Sequence, residues 1–86
     1  MIRLWAKIMV NNKIKKDAIY EEFAPLSATT FYDCLTEICH KFDISTPVVI
    51  AKHYENFCEF NHVKFLPRDF IDSVSFDSLI IENALI

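Results

Sequence analysis

The 86-residue sequence contains no glycine. Glycine enters the left-handed region of backbone space without a steric cost, so each tight turn of this chain must place Asn, Asp or another residue there. A chain without glycine also cannot build a glycine-rich phosphate loop, a dinucleotide-binding fingerprint or a nucleophile elbow. The composition therefore argues against nucleotide hydrolysis by the usual routes.

Alternation of apolar and polar positions predicts a first strand over residues 2–10. Its even positions are all apolar, whereas its odd positions mix charged and large apolar side chains. A period of two is typical of a strand with one buried face. Asn11 and Asn12 follow it, and Asn tolerates the left-handed region better than most residues. We therefore predict a turn there and a second strand over residues 14–23.

Charge predicts the register of this hairpin. A two-residue loop would set Lys7 opposite Lys16, which places like charges together. A three-residue loop over residues 11–13 sets Lys7 against Asp17 instead, and opposite-charge or aromatic pairs across strands contribute roughly 0.2–1 kcal/mol each. We predict the three-residue loop, with its further pairs Arg3 with Glu21, Leu4 with Tyr20, Trp5 with Ile19 and Val10 with Ile14.

Helical spacing predicts an amphipathic helix between Ser27 and Phe42. Its apolar positions recur every three or four residues, as expected for one buried side. Ser27 is the predicted N-cap, with Thr30 as a weaker alternative, because a Ser side chain accepts a backbone N–H of the first turn. The predicted buried stripe is Phe31, Cys34, Leu35, Ile38, Cys39 and Phe42, and the predicted solvent side is Asp33, Glu37 and Lys41.

In the second half of the chain, the sequence pattern predicts shorter helices and strands. Proline suits the first position of a helix, so Thr46-Pro47 is the predicted start of a second helix that continues to Phe60. The alternative for residues 48–50 is a short extended segment. The remaining predicted elements are a short strand at 62–65, one helical turn at 67–71 and an inner strand at 79–86.

These elements follow one another as β-β-α-α-(β)-β. Strands at both ends with helices between them fit an antiparallel sheet covered on one face by helices. We predict a single α+β domain over residues 1–86, with a small antiparallel sheet of three to four strands in the order second, first, last and two helices packed on one face.

Four segments of this chain, residues 3–8, 37–39, 69–71 and 76–82, are largely hydrophobic framework. In these segments the chain resembles a family of short, uncharacterised proteins of Firmicutes that has no assigned function. The resemblance implies a cytoplasmic bacterial domain and implies no activity, ligand or partner.

Candidate chemistry is sparse in this sequence. The three cysteines are odd in number and lack a C-x-x-C pair, which favours reduced thiols and a cytoplasmic location. Structural zinc sites use closely spaced ligand pairs, and here only Cys58 and His62 are so placed. His53 with Glu55 and His40 with Glu37 are ordinary surface neighbours. We predict core cysteines, surface histidines, no metal, no cofactor, no catalytic residue and therefore no enzyme.

The charge distribution is lopsided. Residues 1–16 hold five basic residues and no acidic one, whereas the rest of the chain holds four basic and twelve acidic residues. A basic hairpin could contact the phosphate backbone of a nucleic acid, or its lysines could simply keep an exposed hairpin solvated and block edge-to-edge aggregation. We favour the second reading for this basic hairpin patch, which comprises Arg3, Lys7, Lys13, Lys15 and Lys16.

The remaining candidate is an apolar strip formed by Trp5, Met9 and Ile19 on the odd face of the hairpin. Such a strip is either a surface for self-association or another partner, or it is covered by Phe60, Phe65 or the loops. We predict a non-catalytic interaction or self-association module, active as a homodimer and not bound to membrane. The alternative is a nucleic-acid-associated protein that uses the basic hairpin patch.

Overall fold

The computed structural model describes residues 1–85. Four strands form one antiparallel sheet in the order β2-β1-β4-β3, which confirms the predicted α+β fold and the predicted order second, first, last. The elements are β1 Ile2–Val10, β2 Lys13–Glu22, α1 Ala28–Lys41, α2 Ala51–Phe60, β3 His62–Phe65, a single 3-10 turn Pro67–Asp69, and β4 Ser78–Asn83.

The last strand lies inside the sheet, as predicted, but it is shorter than predicted. β4 pairs with β1 on one side and with β3 on the other. It ends at Asn83, and Ala84 and Leu85 form a turn. Ile86, the last residue of the predicted strand, lies outside the described residues.

One face of the sheet, which we call the inner face, carries the core. The even positions of β1, from Ile2 to Ile8, are at most 4% exposed, and Leu79 and Ile81 of β4 are fully buried. Because these side chains alternate with the solvent-side ones along each strand, both helices pack against this single face. The helical residues of the same core cluster are Phe31, Cys34, Leu35, Ile38, Cys39 and Phe57.

Helix α1 forms as the sequence predicts. Ser27 is its N-cap: its side chain accepts the Thr30 N–H at 3.1 Å, and the Thr30 side chain accepts the Ser27 N–H at 2.8 Å. This reciprocal pair satisfies two of the backbone donors that every helix start leaves free. All six residues of the predicted stripe are buried, and Asp33, Glu37 and Lys41 are exposed.

Left-handed backbone positions are filled without glycine, as its absence requires. Asn11, Asn12, Asp43 and Asn61 have φ between 53° and 64°. Each lies next to the end of a strand or a helix, and short polar side chains tolerate this region best among residues that carry a Cβ. Asn61 caps α2 in the position where glycine is usual.

The hairpin has the predicted pairing over most of its length but not the predicted loop. Lys7 pairs with Asp17 and Arg3 with Glu21 in the strand register, as predicted. Arg3 also forms the expected ion pair with Glu21, whereas the Lys7 ammonium group contacts Glu82 and not Asp17. The loop, however, is the two-residue turn Asn11-Asn12, and the register shifts between Ile8 and Met9.

The prediction that Val10 pairs with Ile14 is therefore wrong. Val10 pairs with Lys13, and Met9 pairs with Ile14. Two consecutive left-handed Asn residues match the twist of a two-residue hairpin turn. The extra residue is taken up by a β-bulge at Lys15, so the opposite charges still meet further along the strands.

Helix α2 begins at Ala51, so the predicted start at Thr46-Pro47 is wrong. Residues 44–50 have no helical structure, which fits the alternative of an extended segment. The Val48 N–H donates to the Asp69 carbonyl at 2.7 Å, and the Ile50 N–H donates to Nδ1 of His53 at 3.1 Å. Tertiary contacts thus override the helix-start preference of the Thr-Pro pair.

His53 is a half-buried capping residue and not the predicted surface histidine. Its side chain is 12% exposed, its ring centroid lies 4.6 Å from that of Phe65, and its nearest acid is Asp69, at 3.8 Å from Nε2. The predicted neighbour Glu55 is exposed. Because Nδ1 accepts the Ile50 N–H, the proton of the neutral ring is on Nε2.

No helix within residues 1–85 is long and apolar enough to cross a membrane.

Candidate interaction surface

The second face of the sheet, which we call the outer face, is built from the odd positions of β1 and their neighbours. Strand registers place its side chains in cross-strand rows. The larger residues of the outer face are Arg3, Trp5, Lys7 and Met9 from β1, Ile14, Asp17, Ile19 and Glu21 from β2, and Ile80 and Glu82 from β4.

Charged groups on the outer face are paired with one another. Arg3 forms an ion pair with Glu21 at 2.8 Å, and Lys7 forms one with Glu82. The indole Nε1 of Trp5 donates to Asp17 at 2.9 Å, and Nζ of Lys7 lies 4.2 Å from the centre of the Trp5 ring. These contacts join three strands and hold the indole flat beneath an ammonium group.

The three residues of the predicted apolar strip share the outer face but differ in exposure. Trp5 and Met9 are half-buried, whereas Ile19 is 51% exposed. None of them belongs to the core cluster that the described residues form. Trp5 and Ile19 are direct cross-strand partners, so together they form the widest apolar part of this face.

The alternative that Phe65 covers the strip is wrong. Phe65 pairs with Leu79 and is fully buried on the inner face. Phe60 is 56% exposed, and its ring lies 6.4 Å from the ring of His62 at the far edge of the sheet. On its own face Trp5 contacts Lys7 and Asp17.

The predicted basic hairpin patch is divided into two parts. Arg3 and Lys7 are neutralised by Glu21 and Glu82 on the outer face. Lys13, Lys15 and Lys16 lie exposed near the turn, and among residues 1–85 they form no ion pair. Within the basic hairpin patch, the unpaired positive charge is therefore confined to these three residues, which we call the tip lysines.

An acidic residue lies next to the turn itself. The Asn11 N–H donates to the carboxylate of Asp77 at 2.7 Å, and the Asp77 N–H donates to the Met9 carbonyl at 2.8 Å. These two bonds tie the turn to the segment that precedes β4. They also place a negative charge beside the tip lysines.

Strand β2 has a free edge, because it ends the sheet. The carbonyls of Arg3 and Met9 accept bonds from Ala84 and Asp77, on the β4 side of β1. Backbone groups alternate in direction along a strand, so the even positions of β1 face β2. Their partners Ala18 and Tyr20 therefore bond to β1, whereas the backbone groups of Asp17, Ile19 and Glu21 face solvent.

Beside this free edge lies an open groove between β2 and α1, with a volume of about 520 Å³. Its walls carry three carboxylates and two tyrosines, so we call it the acidic groove. Its main lining residues are Tyr20 and Glu22 from β2 and Tyr32, Asp33 and Glu37 from α1. A neighbouring cleft toward the end of α1 is lined by Tyr20, Glu37, His40 and Lys41, so negative charge is concentrated at the Glu22 end.

Tyr20 reports the electrostatics of the acidic groove. Its hydroxyl donates to Glu22 at 3.2 Å. Desolvation, followed by the hydrogen bond to Glu22 and the charges of nearby acids, raises the pKa of Tyr20 to about 12. Desolvation, the largest cause, disfavours any charge, whereas the smaller contributions of Glu22 and Glu37 reflect a negative potential that favours a cation. Sequence periodicity did not predict this groove, because it depends on how α1 lies against β2.

The candidate thiol and metal residues do not converge. Cys34 and Cys39 are buried in the core, and desolvation raises the pKa of both thiols, that of Cys39 to about 12. Buried protonated thiols are poor nucleophiles and poor ligands. Cys58 is exposed on α2. Within residues 1–85 no group of three or more His, Cys, Asp or Glu side chains could hold a metal ion.

Comparisons of this chain with protein-family models, with curated proteins and with solved structures each found no match.

Proposed function

We propose that this domain is a non-catalytic interaction module that associates with a second copy of itself. Its contact surface comprises the β2 side of the outer face and the adjacent free edge of β2. The observation that carries the proposal is the position of Ile19, which is 51% exposed, pairs with Trp5 and lies on the strand whose edge is open. An apolar residue in that place gains by burial against a partner.

The absence of catalytic function is part of the same proposal. Two of the three thiols are protonated core residues, and His53 is engaged in capping α2. The three free cysteines suit a reducing, cytoplasmic setting.

Sedimentation velocity over a wide concentration range tests the proposed self-association. We expect a reversible monomer-dimer equilibrium, and we expect Ile19→Asp to weaken it about tenfold or more, because a charge would replace the apolar contact.

The matched control is Ile71→Asp. Ile71 is 85% exposed and lies in the loop between the 3-10 turn and β4, so the same substitution there should leave association unchanged. A wild-type chain that stays monomeric at all concentrations would contradict the proposal. Equal effects of the two substitutions would contradict the surface assignment.

The alternative function is contact with a nucleic acid through the tip lysines. Its support is that all three are exposed and close in sequence. Filter-binding titrations with duplex and single-stranded DNA at two salt concentrations separate the two functions. We expect weak binding that is unchanged in the triple variant K13E/K15E/K16E. Salt-steep binding that this variant abolishes would instead favour the alternative.

A further inference from the structure

We infer, as an extension of the proposed self-association, that two copies join antiparallel along their β2 edges about a two-fold axis at Ala18, and that Lys16 of each copy enters the acidic groove of the other. The two four-stranded sheets then become one continuous sheet. The second copy therefore occupies both the free edge of β2 and the acidic groove.

The free edge of β2 needs a partner or a protective device. Strand edges with unpaired N–H and C=O groups are templates for pairing, and proteins blunt them with bulges, prolines or inward charges. The bulge at Lys15 breaks only the turn end of β2. From Lys16 to Glu22 the strand is regular, contains no proline and presents the backbone groups of Asp17, Ile19 and Glu21.

Charge along β2 selects an antiparallel second copy. The first half of the strand carries the tip lysines, and the second half carries Glu21 and Glu22. Antiparallel pairing about a two-fold axis sets the basic half of each copy beside the acidic half of the other. Parallel pairing would instead align like charges, so the strand is complementary to itself in one direction only.

The register between the two β2 strands is determined by the sheet face on which each side chain lies and by the charges that meet. A shift of one residue would bring inner-face side chains opposite outer-face ones, so only even shifts keep the sheet continuous. With Ile19 on the axis, Lys16 would lie directly opposite Glu22, but Asp17 of one copy would lie opposite Glu21 of the other, which places like charges together twice. With Ala18 on the axis, Asp17 lies opposite Ile19, and Lys16 lies opposite Tyr20 with Glu22 diagonal to it.

The acidic groove then receives its cation from the second copy. Lys16 lies on the inner-face side of β2, as do Tyr20 and Glu22, because their β1 partners are the buried residues Ile8, Leu4 and Ile2. Within one chain Lys16 and Glu22 are six positions apart, or about 20 Å along a strand, so they cannot meet. Across the two-fold axis the same lysine reaches Glu22 and, on α1, Glu37.

Charge reversal with mixing tests this inference. In K16E alone, each copy places a new carboxylate beside Glu22 of the other, and in E22K alone each copy places a new ammonium group beside Lys16 of the other. We expect each single variant to dimerise about tenfold more weakly than wild type in sedimentation equilibrium. A mixed dimer of the two variants keeps one native contact, between Lys16 and Glu22, and gains one contact between the two introduced, opposite charges. We therefore expect an equimolar mixture to associate more tightly than either variant alone, to within about threefold of wild type.

The matched control is the pair K52E and E55K. Both residues are exposed on α2, and the two substitutions change net charge by the same amounts. We expect both control variants to dimerise like wild type, alone and mixed. Far-UV circular dichroism checks that each variant is folded, and a misfolded chain could not be rescued by mixing.

The outcomes separate this inference from the proposed function. Wild-type association that neither K16E nor E22K weakens would overturn the β2 pairing and leave self-association in place. Weakening by both without recovery on mixing would also overturn the pairing. A wild-type chain that does not associate at any concentration would overturn both.

Discussion

A chain that ends at Asp77 is expected not to fold. It lacks β4, which lies between β1 and β3 and supplies Leu79 and Ile81, two fully buried residues of the core. Without β4, β3 loses the strand with which it pairs in the sheet of residues 1–85, and β1 loses one of its two neighbours there. We expect no cooperative transition in urea and a far-UV spectrum of a largely unfolded chain.

The control for this truncation is a chain that ends at Asn83. It keeps all of β4 and loses the bond from the Ala84 N–H to the Arg3 carbonyl. One backbone bond contributes about 0.5–1.5 kcal/mol, so this chain should unfold cooperatively with a stability close to that of wild type. Cooperative unfolding of the chain that ends at Asp77 would contradict the role given to β4.

Replacement of Leu35 by Ala is expected to lower the free energy of unfolding by about 3 kcal/mol, within the range of about 2–5 kcal/mol seen for buried leucines. Leu35 is fully buried in the stripe by which α1 contacts the sheet. Small domains are stable by only about 5–15 kcal/mol in total, so this loss is large. Urea titration followed by circular dichroism measures it.

Replacement of Glu37 by Ala is the control for Leu35. Glu37 is exposed on the opposite side of the same helix, two residues further along. Alanine is a strong helix former, and substitutions on an exposed surface change stability by about 0.5 kcal/mol or less. Similar losses for Leu35→Ala and Glu37→Ala would mean that α1 does not use the predicted stripe.

Much of the fold could be predicted because its signals are local. Helix α1 follows from the spacing between Phe31 and Phe42 and from the cap at Ser27, and β1 follows from its strict alternation. The sheet order followed from the lack of any hairpin partner for the last strand. Each of these features repeats several times within a short segment, so single exceptions do not obscure it.

The predictions of the hairpin loop and of the start of α2 were wrong, because tertiary contacts decide between the conformations that the local sequence allows there. The Asn11-Asn12 turn favours a two-residue loop, whereas the cross-strand pair of Lys7 with Asp17 requires a register one residue further along. A bulge at Lys15 allows both in the same hairpin. The start of α2 is fixed by the bonds of Val48 and Ile50 to Asp69 and His53, residues distant from the Thr46-Pro47 signal or inside the helix. Neither solution repeats along the chain, so no periodicity could indicate it.

The candidate surface could be predicted only in part. Alternation placed Trp5, Met9 and Ile19 on one face, and the register paired Trp5 with Ile19. The neutralisation of Lys7 by Glu82 depends on β4, which is distant in sequence. The acidic groove depends on the position of α1 beside β2, which helix periodicity does not specify.

Amide hydrogen exchange of β2 at increasing protein concentration tests the central claim most directly. Ala18 and Tyr20 bond to β1 and should be protected at every concentration, whereas the edge amides of Asp17 and Ile19 should exchange quickly in the monomer. We predict that protection of Asp17 and Ile19 rises in step with the dimer fraction found by sedimentation. Edge amides that stay unprotected in a solution of dimers would contradict the account.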